Sequence, residues 1–187
     1  MKFYSMVPPE YYENYELSED NYELDKRCHS TEQILEDWGC REINVSGKGK
    51  KGDLGYCCYL SEALILKEKA FEELSSIFGD DVEFLPVKFG DEIWHVVHCT
   101  KVEEEINFSV RGRVIQYRTF KNGPKEMELC DKYYFRVRNT DGIPTDMIYT
   151  EKFVDLIKSL KLKGIEFEES GELVEPWWLI FEKVRNM

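Results

Sequence analysis

Apolar and polar positions are arranged along this chain in runs that mark its elements. Val82–Phe89 and Glu92–Thr100 have the make-up of two strands, and Gly90-Asp91 between them is a hairpin signal. Upstream, Leu66, Ala70, Leu74 and Ile77 fall on one face of a helix predicted from Glu62 to Phe78, with Gly79-Asp80-Asp81 as its turn. Leu54–Leu60 is a continuous apolar and aromatic run, the pattern of a buried strand. Met1–Val7 reads as a first strand stopped by Pro8-Pro9, because proline supplies no donor to a sheet ladder. Ile106–Val110, Arg113–Phe120 and Glu126–Leu129 alternate like an antiparallel meander, and Tyr133–Arg138 reads as a further strand.

One part of this pattern occurs twice. Ile65–His98 aligns without a gap on Ile148–Phe181, with identities at Ile65/Ile148, Glu68/Glu151, Lys69/Lys152, Ser76/Ser159, Glu83/Glu166, Phe84/Phe167, Glu92/Glu175 and Trp94/Trp177. Phe71/Val154, Leu74/Ile157, Ile77/Leu160 and Val82/Ile165 keep apolar character at the same spacing, as a duplicated folding unit requires. The second copy predicts a helix over Glu151–Leu162, a turn at Lys163-Gly164, a strand over Ile165–Glu168, a turn at Ser170-Gly171 and a strand over Trp177–Val184. The expected fold is α+β: two related lobes, each a helix with antiparallel strands, packed as one compact unit of mostly antiparallel sheet. The segments are residues 1–53, acidic and N-terminal; 54–130, the first lobe with its meander; and 131–187, the second lobe.

Charge changes the picture most in the first segment. From Glu10 to Glu42 eleven acidic residues face three basic ones, a net −8 of the chain's −12. Such a field repels nucleic acid and anionic membranes and favours basic partners. Tyr11, Tyr12, Tyr15 and Tyr22 are interleaved with Glu16, Glu19, Asp20, Glu23 and Asp25, and tyrosine is enriched at protein interfaces. These nine residues are the candidate partner-binding set; the plainer alternative is a solvated acidic face. Glu10–Asp25 has no clean period and is expected to be loop with short pieces. A short helix is expected within Thr31–Gly39, capped by Ser30 or Thr31 and stopped by Gly39. Gly47–Gly52 (GKGKKG) lacks the order of a phosphate-binding loop and is expected to be a mobile basic loop.

Candidate chemistry is sparse. His95, His98 and Cys99 are metal-ligand types, but on a strand His95 and Cys99 share one face while His98 shares the other with Trp94 and Val96. Cys28, His29 and Cys40 offer three ligands without a fourth at finger spacing. Cys57-Cys58 lies in an apolar strand, the usual setting of an inert thiol. Glu83 and Glu166 could be mistaken for a glycosidase carboxylate pair, yet strands with Phe84 and Phe167 pointing inward turn them toward solvent or a lysine. No metal, cofactor or catalytic residue is expected, and the six cysteines are expected to be reduced thiols. No run has transmembrane length and the N-terminus lacks a secretory pattern, so the expected location is the cytoplasm.

Tyr59-Leu60-Ser61-Glu62, the helix after it and Asp80-Asp81-Val82-Glu83-Phe84-Leu85-Pro86-Val87 resemble a family of bacterial immunity proteins, the group numbered eleven in polymorphic toxin systems. Tyr134-Phe135-Arg136-Val137, Ile148-Tyr149-Thr150-Glu151-Lys152-Phe153 and Lys163-Gly164-Ile165-Glu166-Phe167 are similar to its second signature. The likeness spans Leu54 to Val184, with Thr150 where the family has serine, and leaves the first 50 residues unmatched. It implies a cytoplasmic protein that binds and neutralises a cognate toxin and carries no catalytic residues. The acidic field suits a basic, nuclease-like toxin. Two other classes stay open: an enzyme with a site among Cys57, Cys58, His95 and Cys99, and a homodimer burying Trp177-Trp178.

Overall fold

The computed structural model describes residues 2–18, 22–58, 60, 62–103, 107–111, 114–118, 131–138 and 143–173. The predicted strands Glu126–Leu129 and Trp177–Val184, together with Cys130 and Trp177-Trp178, lie outside these residues. The fold is α+β. Strands β2 (Asn14–Leu17), β3 (Arg41–Val45), β4 (Leu54–Cys57), β5 (Ala63–Leu66), β6 (Val82–Phe89) and β7 (Glu92–Cys99) close a barrel in the order β2-β3-β6-β7-β5-β4. A second six-stranded sheet has the order β10-β11-β1-β12-β9-β8. Its strands are β1 (Lys2–Val7), β8 (Asn107–Arg111), β9 (Val114–Arg118), β10 (Tyr134–Phe135), β11 (Ile148–Thr150) and β12 (Glu166–Leu173). The helices are α1 (Tyr22–His29), α2 (Leu35–Trp38), α3 (Glu68–Phe78) and α4 (Glu151–Ser159). Among the described residues no helix is long and apolar enough to cross a membrane.

The internal repeat is deeper in the structure than in the sequence. In the barrel β4 pairs antiparallel with β5, β5 with β7 and β7 with β6; β6 then pairs parallel with β3, and β3 antiparallel with β2. The second sheet repeats these relations in order through β10, β11, β1, β12, β9 and β8. The position of β7 is held there by β1, the first strand of the chain. The register agrees on both sides: Phe84 faces Val97 and Phe167 faces Met6, while Leu66 faces His95 and Tyr149 faces Tyr4. The lobes are therefore related by duplication with a circular shift, and the N-terminal segment is shared between both sheets.

Two cores hold this arrangement. Tyr15, Ile43, Cys57, Ile65, Leu85, Val87, Trp94 and Val96, drawn from all six barrel strands, form one cluster, which Leu24, Cys28, Ile34 and Trp38 join from α1, α2 and their connection. The other cluster lies between the lobes: α3 contributes Ala70, Leu74 and Phe78, α4 contributes Phe153 and Ile157, and Met6 and Tyr149 come from the second sheet. Phe78 packs edge-on to Phe153 with centroids 5.8 Å apart, and its carbonyl accepts the Tyr134 hydroxyl. Burial on both sides of the interface makes the lobes one unit.

Several boundaries differ from the sequence reading for physical reasons. Residues 63–66 are strand rather than the first turn of a helix, because β5 is hydrogen-bonded on both edges and buried through Leu64, Ile65 and Leu66. Ser170-Gly171 is not a turn. The register shifts between Phe3/Gly171 and Tyr4/Glu169, so Ser170 is the extra residue of a β-bulge inside a continuous β12. Glu10–Asp25 contains β2 and the start of α1, and the helix expected within Thr31–Gly39 is a single turn, Leu35–Trp38. The basic loop is docked: Lys50 bridges to Tyr12, and a Cβ on Gly49 would stand 2.3 Å from the Tyr12 carbonyl carbon. Gly164, at φ +124, lets the lobes cross, since a Cβ there would meet the Leu54 carbonyl oxygen at 2.0 Å.

Candidate functional site

The duplication shows where the two lobes part company. β8 and β9, from the meander expected in the first lobe, stand in the second sheet, where they are joined by residues 112 and 113 alone, whereas the equivalent β2 and β3 are joined by residues 18–40, which carry α1 and α2. This insertion holds seven acidic residues (Glu19, Asp20, Glu23, Asp25, Glu32, Glu36 and Asp37) against Lys26 and Arg27. Its charges are ordered along α1, with Glu23 and Asp25 in the first turn and Lys26, Arg27 and His29 in the last, which suits the helix dipole. Arg27 then ties α1 to the connection and to α2, donating to Glu32 at 3.2 Å and to Asp37 at 3.1 Å.

Three side chains that sequence reasoning did not assign to this role anchor the insertion. Glu83 on β6 accepts the backbone N–H groups of Ile34, at 2.8 Å, and Leu35, at 3.3 Å, which satisfies the start of α2. The expectation of a solvent-facing or lysine-paired Glu83 is thereby corrected. Its repeat partner Glu166 does similar work, accepting the N–H of Glu10 at 3.2 Å. His98 donates through Nε2 to the Glu32 carbonyl at 2.8 Å; its burial holds its pKa below the usual histidine value. Arg136, buried, donates to four carbonyls: Thr145 through Nε at 2.6 Å, Ser30 and Cys99 through Nη1 at 2.9 and 2.7 Å, and His29 through Nη2 at 2.8 Å. It bolts the end of α1 to β7 and to the second lobe. The signal for Glu83 was its recurrence at Glu166; for Arg136 the sequence held none, because its four partners are scattered in the chain.

The nine residues expected to bind a partner are divided by this frame. Tyr11 is 63% exposed, Glu23 is exposed, and Tyr12, Glu16 and Asp25 are half-buried. Tyr15 is a correction: it is 1% exposed and belongs to the barrel core, its ring edge-on to Trp94 at 5.3 Å and its hydroxyl donating to Glu13 at 2.8 Å. Strand alternation on β2 turns it inward. Glu19 and Asp20, and the side chain of Tyr22, lie outside the described residues.

Cys28, His98 and Cys99 line one small cavity of about 20 Å³ with Glu62, Arg136 and Asp146, and the His98 imidazole and Arg136 guanidinium there are engaged with backbone carbonyls. The two faces of β7 are those expected, with Cys99 in the inter-lobe core, His95 stacked on Phe71 at 3.9 Å, and Trp94 and Val96 in the barrel. Burial pushes the Cys28 thiol up to about 12 and raises Cys99 as well, so both stay protonated and weakly nucleophilic at neutral pH. Cys57 is buried in the barrel and Cys58 is exposed. Among the described residues no group of three His, Cys, Asp or Glu side chains is placed to hold a metal ion. No family model matches the chain, and no curated protein matches it.

Proposed function

We propose that this protein is a stoichiometric binder that neutralises a cognate protein toxin in the cytoplasm of the cell that makes it. The observation that carries the reading is the acidic insertion between β2 and β3. It is the largest described departure of one lobe from the other, and it concentrates exposed carboxylates on elements held rigidly from below by Glu83, His98 and Arg136. A binder needs a preorganised surface and a complementary field rather than a reactive group. The Cys28 and Cys99 thiols are raised by burial, and the cavity they share with His98 is about 20 Å³, room for little more than a water molecule. The resemblance to immunity proteins over Leu54–Val184 supplies the class of partner, and the net charge of −12 favours a basic one.

Co-expression with the product of the neighbouring gene tests the reading. A complex of equal stoichiometry and restored growth are the expected results. A toxin that stays free and lethal in the presence of the folded chain contradicts it.

A further inference from the structure

The stem of the acidic insertion encloses a groove. Leu17 and Ser18 leave the barrel on one side, Trp38 returns at the end of α2, and Cys40, Arg41 and Glu42 re-enter it; together they line an open hollow of about 280 Å³. Its walls are fixed. The buried Trp38 ring is held by its indole N–H on the Pro86 carbonyl at 2.8 Å, the Ser18 N–H donates to the Glu42 carbonyl at 2.9 Å, and Asn44 donates to the Ser18 hydroxyl at 2.9 Å. A hollow already in shape loses little entropy when filled. It falls just below the ~300–1,000 Å³ of sites that enclose small ligands, and it is open, which suits one or two long side chains of a macromolecule.

The surroundings select the charge of that side chain. Glu42 lines the groove and is exposed, Glu36 is exposed on the turn leading into Trp38, and Glu16 stands half-buried on β2 beside Asn44. The nearby cations are engaged: Arg27 is paired with Glu32 and Asp37, and the Arg41 guanidinium lies over the Trp38 ring, 5.3 Å from its centroid. With Arg41 held against the buried Trp38 ring, the Glu42 carboxylate on the wall, and Glu36 and Glu16 beyond it, leave the groove's surroundings acidic, which suits the aliphatic stem and cationic head of lysine or arginine. Tight interfaces concentrate their energy where such an anchor enters a pocket ringed by weaker contacts.

We infer that this groove is the anchor pocket of the interface and takes a lysine- or arginine-bearing loop of the partner protein. The inference rests on the protein-binding reading above and adds where the partner is held and by what chemistry. The test uses the full chain and the neighbouring gene's product, purified as an inactive variant, with affinity measured by calorimetry. Cys40→Arg fills the groove with a like charge, Glu42→Lys reverses its wall, and Glu72→Lys on the exposed face of α3 makes the net-charge change of Glu42→Lys elsewhere. The expected result is at least tenfold weaker binding for the first two and wild-type affinity for the third, with thermal unfolding unchanged in all three. Wild-type affinity in Cys40→Arg and Glu42→Lys overturns the groove and leaves the protein-binding reading standing. Equal losses in Glu42→Lys and Glu72→Lys also overturn it, since net charge alone then accounts for the effect. No complex with the wild-type chain overturns the reading and the groove together.

Discussion

Lys67 shows how much of this protein's behaviour is set by single buried side chains. It follows β5 and precedes α3, is 9% exposed, donates to the Tyr15 hydroxyl at 2.8 Å and lies over the rings of Tyr15 and Trp94 at 4.8 and 4.5 Å. Burial lowers its pKa from 10.5 to about 8, against the opposing pull of Glu13, Glu92 and Asp53 and with help from Lys51. Between those values the unfolded chain binds the extra proton, so this group's contribution to stability rises as pH rises through the window. Urea unfolding of wild type and Lys67→Met at pH 7 and pH 9.5 isolates it. The wild type is expected to gain on the order of 2 kcal/mol on the variant, at about 1.4 kcal/mol per pKa unit; parallel curves contradict it. Tyr15 and Tyr11 mark what sequence alone could resolve at this scale. They are the same residue type in the same acidic run, and only strand pairing, Tyr15 with Val45, decides that one is core and the other surface.

Among elements, α2 owes its place to a side chain outside it. A four-residue helix has little stability of its own, and the Glu83 carboxylate holds its first amides. Glu83→Ala is expected to cost about 1–2 kcal/mol, the range of a lost helix cap, and to speed hydrogen exchange at Ile34 and Leu35, while Glu83→Gln retains part of the effect. Unchanged exchange at those amides contradicts the capping role. The β6–β7 hairpin was legible from pattern because Gly90-Asp91 separates two runs whose apolar positions match the observed strands. β5 was not, because a strand buried on both sides and the first turn of an apolar helix present the same short run. The acidic insertion was visible as composition, but its meaning as the difference between two lobes needed the pairing of β8 with β9.

At the scale of the molecule, the exchange of β1 for a copy of β7 joins the two ends of the sequence logic into one core. No local signal announces that Lys2–Val7 will lie between β11 and β12, since the partners are more than 140 residues away. The inter-lobe cluster that contains Met6, Phe78 and Phe153 is buried from both lobes, so the lobes are expected to unfold together. Met6→Ala, 3% exposed in wild type, is expected to cost about 2–5 kcal/mol and to shift a single transition seen alike by probes in both lobes. Separate transitions contradict the shared core. The summed charge acts at the same scale: association with a basic partner is expected to slow as salt rises, because exposed carboxylates are screened beyond about 8–10 Å at physiological ionic strength. The central claim, that the acidic insertion on a duplicated scaffold is the binding element, is tested most directly by hydrogen exchange of the complex with the neighbouring gene's product. New protection is expected to concentrate in residues 16–42, with α4 and β10 unchanged. Protection on α4 and β10 with residues 16–42 unaffected would contradict it.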